Sequence, residues 1–92
     1  MDVNELGQEP VGAALRRLRK VEGQVRAVQR MIEEGRECDD VLRQVAAATK
    51  ALKGVGVHLA VSGLEHCVTD GSGSADASED LERFRRSFVE LA

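Results

Sequence analysis

An all-α fold is predicted for this chain of 92 residues: two long helices plus a short C-terminal helix, one domain over residues 1–92. Two copies should pair as an antiparallel four-helix-bundle dimer. Three observations predict this. Apolar residues recur at spacings of three and four along most of the chain. Glycine-based punctuation falls at Gly35 and again at Asp70-Gly71-Ser72-Gly73-Ser74-Ala75. Finally, Cys38 and Cys67 stand 29 residues apart in one continuous helical stretch.

Residues 1–9 are polar and read as a flexible N-terminus. Pro10 suits a first helical turn, where its missing N–H has no partner to lose. Val11, Leu15, Leu18, Val25, Val28 and Ile32 then place an apolar stripe on a helix from about 10 to 35, which Gly35 ends. After the turn Gly35-Arg36-Glu37, Val41, Val45, Ala48, Leu52, Val55 and Leu59 step in fours and threes, a bundle seam on a helix from about 38 to 69. Gly54, Gly56 and Gly63 are unusual inside it, each costing about 1 kcal/mol against Ala. Close approach of another helix across an interface is the favoured reading, and a soft point that bends is the other. Residues 70–76 form a flexible linker by composition, and Asp76 with Glu79 fits a capping box. Leu81, Phe84, Phe88 and Leu91 make the apolar stripe of the short last helix.

Three such helices cannot close a core around a helix of some 32 residues, which is why a dimer at least is expected. There is no Trp or Tyr and only two Phe, so the core must be aliphatic. No apolar run approaches the roughly 20 residues of a membrane span. The acidic start Met1-Asp2-Val3-Asn4-Glu5 is not a secretory signal, so a cytoplasmic location is expected. Thiols are kept reduced there, which favours sensing, metal-binding or packed cysteines over a permanent staple.

Within one straight helix the two thiols would lie about 43 Å apart. A disulfide needs Cα atoms within about 7 Å. An antiparallel neighbour brings Cys38 of one copy beside Cys67 of the other. Cys38 stands at a helix start, where unsatisfied N–H groups favour a thiolate, while Asp39 and Asp40 oppose that and Arg36 partly offsets them. A tetrahedral metal site wants four ligands. His58 is two and a half turns from Cys67, and His66 points about 100° away from it. Two thiolates could hold Cu(I) in a linear site. Inert packing of both thiols is the plain alternative.

Arg16, Arg17, Arg19, Lys20, Arg26 and Arg30 all fall on the first helix, although the chain carries a net charge of -3. At 100° per residue, Arg16, Arg19, Arg26 and Arg30 share a sector of about 80°. Such a stripe is either a solvated face or a surface for an anionic partner. Duplex DNA fits the second, because phosphate contacts need little more than spaced Arg and Lys. The shortage of aromatics argues against single-strand or RNA recognition. No helix-turn-helix pattern is seen. No phosphate loop, nucleophilic triad or carboxylate pocket points to an enzyme.

The stretches Leu15–Arg26 (LRRLRKVEGQVR), Met31–Glu34 (MIEE), Cys38–Val45 (CDDVLRQV) and Leu64–Val68 (LEHCV) resemble the copper-sensitive operon repressor family, CsoR/RcnR. The resemblance covers about residues 14–69. It implies an all-helical dimer assembled into a homotetramer. It also implies a repressor that binds operator DNA through basic helical surfaces and releases it when an inducer occupies the cysteine site. Copper sensors of the family use Cys, His and Cys. Cys38 and Cys67 match the thiols, but Gly63 stands where the His belongs. The N-terminal His of nickel and cobalt sensors is absent, as is the Pro that follows Met1 in formaldehyde sensors. Cys38 and Cys67 without that His are similar to the CstR branch, which senses persulfides. DNA contacts carry over best to Arg17, with Arg16, Arg19 and Lys20 beside it. Gly54 occupies a position often held by Arg, for which Lys53 could substitute.

The expectation drawn is a cytoplasmic DNA-binding repressor with no cofactor. A persulfide or polysulfide would react at Cys38, Cys67 of another chain would resolve the product, and the crosslink would release DNA. A Cu(I)-responsive repressor using Cys38 and Cys67 is the alternative. A helical sulfur carrier or interaction module with no DNA role is a third.

Overall fold

The computed structural model describes the backbone of residues 1–70 and 75–91, and their side chains except at 70, 75–78 and 80. Helix α1 spans Gln8–Glu33, α2 spans Cys38–Asp70 and α3 spans Ala75–Leu91. The architecture is all-helical, as expected. The expected linker lies at 71–74, outside the described residues, and so does the side chain of Asp76 in the expected capping box.

Where a flexible start was expected, Val3–Leu6 forms a 3-10 turn. Its cause is local: the Asp2 carboxylate accepts the Asn4 N–H at 2.8 Å. The turn packs on both α1 and α2. Helix α1 therefore begins at Gln8, with Pro10 still inside its first turn.

Gly35 ends α1 by the geometry its position suggested. Its φ of 69° is left-handed. The Arg36 N–H reaches the Met31 carbonyl at 2.9 Å and the Gly35 N–H reaches the Ile32 carbonyl at 3.1 Å. That pair of bonds closes a helix end and reverses the chain. Helix α2 then returns antiparallel along α1.

The hairpin core is narrower than either apolar stripe. Ala14 and Val21 of α1 and Ala48, Val55 and Ala60 of α2 are buried, with Val55 only 4% exposed. Leu18, Val28, Val41 and Leu59 are half-buried. Leu15, Val25 and Ile32, expected in the core stripe, stay largely exposed, as do Val45 and Leu52. The reason is geometric. Each stripe is wide enough for two neighbours, and within one chain α1 and α2 cover each other on one side only.

Helix α3 answers the question of two glycines. It lies antiparallel on another face of α2, with Phe84 against Gly63 and Leu91 against Gly56. A Cβ at either glycine would overlap those side chains. Close approach is thus what they serve, but to a helix of the same chain. Gly54 faces open space. On the outer side of α3, Arg85 forks onto Glu82 at 2.8 and 3.2 Å. That hydrogen bond, reinforced by the Arg85 charge, holds the Glu82 carboxyl below its usual range. The pair's contribution is present above the ordinary carboxylate value and lost as pH falls through the lowered one.

The chain measures 56 × 25 × 13 Å, with a radius of gyration of 16.9 Å. A compact chain of this length would have about 12 Å. One dimension is barely the width of a helix, roughly 10–12 Å. The helices form a single layer, and no described side chain is fully buried. Val55→Ala should cost about 2 kcal/mol in urea denaturation, because it empties the deepest contact of the hairpin. Val68→Ala, at a position 71% exposed, should cost no more than about 0.5 kcal/mol.

Candidate functional site

The two thiols occupy opposite ends of α2. Cys38 is its first residue and is exposed; Cys67 lies near its end and is buried, 9% exposed. An unbroken helix of this length separates them by about 43 Å, so within one chain they cannot meet. Around Cys38, two bases approach acidic neighbours loosely and in solvent: Arg36 lies 3.9 Å from Glu34 and Arg43 lies 3.9 Å from Asp40.

Two residues near Cys67 meet segments distant in sequence. One turn before it on the same face is Gly63, buried beneath the Phe84 ring of α3. His66 turns away, with its Nε2 3.9 Å from the Glu5 carboxylate of the N-terminal turn. His58 has a buried Nε2 with no hydrogen-bond partner among the described residues. No described group of three or more His, Cys, Asp and Glu side chains could hold a metal within the chain.

Arg16, Arg17, Arg19 and Lys20 are all exposed on α1. Arg26 is partly neutralised by Glu22 at 3.7 Å, but the other four make no ion pair among the described residues. Arg17 and Lys20 line an open cleft between α1 and α2, together with Gln24, Ala51 and Gly54. Lys53 is exposed but does not line it. Lys50, about 40° around α2 from Gly54, is closer to the cleft's mouth than Lys53, about 100° away. Sequence reading did not single out Gln24 or Lys50. The signal was available in the antiparallel register, which sets Arg17 opposite Gly54 and Lys20 opposite Ala51.

No helix among the described residues is long and apolar enough to cross a membrane. The class so defined is a small, thin helical hairpin with basic residues on α1 that make no ion pair among the described residues and one thiol at each end of its longest helix. Residues 12–89 match the family model of metal-sensitive transcriptional repressors, and the chain belongs to that family. It is 47% identical over 81 residues to the copper-sensing transcriptional repressor RicR of Mycobacterium tuberculosis, covering 78% of this chain and 84% of the relative. It is 42% identical over 74 residues to the copper-sensing transcriptional repressor CsoR of Bacillus subtilis, covering 76% and 73%. The transcriptional repressor RcnR of Salmonella typhimurium is 35% identical over 66 residues, covering 72% and 73%.

Alkylation followed by mass spectrometry should modify Cys38 several-fold faster than Cys67, since access limits the reaction at the buried thiol. Equal rates would show that Cys67 is not sheltered in solution.

Proposed function

We propose that this chain is a DNA-binding repressor whose hold on an operator is controlled at a dithiol made by Cys38 of one chain and Cys67 of another. The single-layer shape supports the second chain. Leu15, Val25, Ile32, Leu42, Val45 and Leu52 are exposed apolar residues of α1 and α2, and an antiparallel copy covering them would supply the missing half of a bundle core. A homodimer, doubled to a homotetramer, is the assembly proposed. The same arrangement sets the two thiols at each end of the bundle within reach of each other.

Duplex DNA is the proposed partner of Arg16, Arg17, Arg19 and Lys20, with Lys53 on the flank. The observation that carries this is that, among the described residues, those α1 bases have no acidic partner, in a chain that is acidic as a whole. Phosphates then complete charges that the fold leaves open. Affinity for operator DNA should fall steeply with salt. Arg17→Ala should weaken binding and reduce the salt slope by about one unit, read by fluorescence anisotropy across a salt series.

Cu(I) is the inducer with the support of kinship, since two relatives bear the name of copper sensors. Two soft thiolates suit a linear Cu(I) site. Reactive sulfur is the second reading, and a specific observation favours it: Gly63 carries no ligand and Phe84 covers it, leaving a bare dithiol suited to persulfide chemistry. In that case a Cys38 thiolate takes the outer sulfur of an organic persulfide and the thiol leaves. The Cys67 thiolate of the other chain then attacks the Cys38 Sγ of the resulting Cys38 persulfide, forming the Cys38–Cys67 disulfide and expelling the outer sulfur as hydrosulfide, so the disulfide's two-electron oxidation comes from the organic persulfide. Closure at both ends of the bundle would shift the basic surfaces out of register with DNA.

One pair of titrations separates the readings. Stoichiometric Cu(I) that releases DNA and leaves both thiols uncrosslinked supports copper. Release by an organic persulfide, with an interchain Cys38–Cys67 species in the mass spectrum, supports sulfur. Unchanged DNA affinity under both treatments sinks the proposed control.

A further inference from the structure

We infer that the open groove between α2 and α3 is a second self-association surface, on which the same face of another copy docks. The inference builds on the proposed homotetramer by naming the contact that joins two dimers. It begins from helix geometry. At 100° per residue, Val57, Val61, Leu64 and Val68 share a sector of about 60° on α2. That sector lies about 160° around α2 from Ala48 and Val55 and about 120° from Gly56 and Gly63. The first pair marks the α1 side and the second pair seats α3. Neither helix covers the sector between them, and its four apolar side chains are exposed. In the first half of α2 the same sector carries Asp39, Arg43, Ala46 and Lys50, all exposed, as a solvated face should be. The surface turns apolar only where α3 runs alongside.

Helix α3 adds Leu81, Phe88 and Val89, also exposed, to that face. Between the two helices lies a groove of about 330 Å³, with Ala60 and Leu64 on one wall and Leu81, Phe88 and Val89 on the other. Apolar residues scattered singly over a surface need no partner, but a contiguous strip along two helices marks a contact. The rim says what kind. It carries both an acid and a base, Glu82 and Arg85. A two-fold copy lays apolar strip on apolar strip and sets the acid of one chain against the base of the other. Nucleic acid would require a rim of bases alone, and a small ligand an enclosed cavity. The face points away from α1, so the thiol-bearing pairing and this one can form together and close a tetramer. Helix α3 is about 25 Å long and two helices side by side are about 20 Å wide, a footprint of roughly 500 Å² per copy. Specific contacts average about 800 Å² per partner. This contact is therefore the weaker of the two, and assembly through it depends on concentration.

The test follows mass against concentration by sedimentation. It uses the full chain as parent, Val61→Glu/Val89→Glu on the inferred surface, and Leu52→Glu on the face proposed for the thiol pairing, each checked for helicity. Dibromobimane, a short thiol–thiol crosslinker, reports the Cys38–Cys67 contact whatever the inducer. The parent should pass from two chains to four as concentration rises. Val61→Glu/Val89→Glu should raise the dimer–tetramer dissociation constant at least about a hundredfold, because a two-fold contact buries each new carboxylate twice. Its dimers should still link Cys38 to Cys67. Leu52→Glu should also stop at two chains, but without that link. A parent that stops at two chains, made monomeric by Leu52→Glu and unchanged by Val61→Glu/Val89→Glu, overturns the inference and leaves the thiol pairing standing. The reverse pattern supports the inference and counts against the thiol pairing. A tetramer that Val61→Glu/Val89→Glu leaves intact overturns the inference as well. Photoreactive benzoylphenylalanine placed at Val89 identifies the occupant: crosslinks to α2 or α3 of another copy support the inference, and crosslinks to α1 alone overturn it.

Discussion

The unbroken length of α2 is the constraint on which the rest depends. A helix of 33 residues is longer than the two helices beside it can enclose, and it offers faces in several directions at once. Helix α1 takes one face through Ala48 and Val55; α3 takes another through Gly56 and Gly63. The remaining surface carries Leu42, Val45 and Leu52 at one end and Val57, Val61, Leu64 and Val68 at the other. Rigidity also keeps the two thiols at opposite ends. Any chemistry the two thiols share therefore has to join two chains.

Much of this was legible in the sequence because it is local. The helix limits follow from spacing, and the end of α1 follows from Gly35, whose left-handed φ and paired carbonyl bonds are written into one residue type. The choice of buried face was less legible. Both long helices are apolar on more than one side, so Leu15 and Val25 read as core equally with Val21. Only the pairing of α1 with α2 shows that small Ala14 and Ala48 mark the contact, while Ala60 lines a groove beside α3. The N-terminal turn was missed because its cause is a single Asp2 to Asn4 hydrogen bond rather than a periodic pattern.

The site divides in the same way. Cys38 and Cys67 were found from their spacing, and the empty ligand position at Gly63 from its place one turn earlier. What lies over Gly63 was not legible, since the ring arrives from a helix twenty residues further on. The basic residues were found, but their arrangement was not. Arg17 and Lys20 face a cleft floored by Gly54, whereas Lys53 stands outside it. The relatives share the family across about three quarters of the chain, and kinship speaks for copper.

The contact between Glu5 and His66 joins segments some sixty residues apart, whereas the α1–α2 hairpin begins from neighbours across a short turn. Loop-closure entropy grows with the length of chain enclosed, and contacts distant in sequence form more slowly than local ones. During folding the hairpin therefore zips first, and docking of the N-terminal turn onto the far end of α2 comes later.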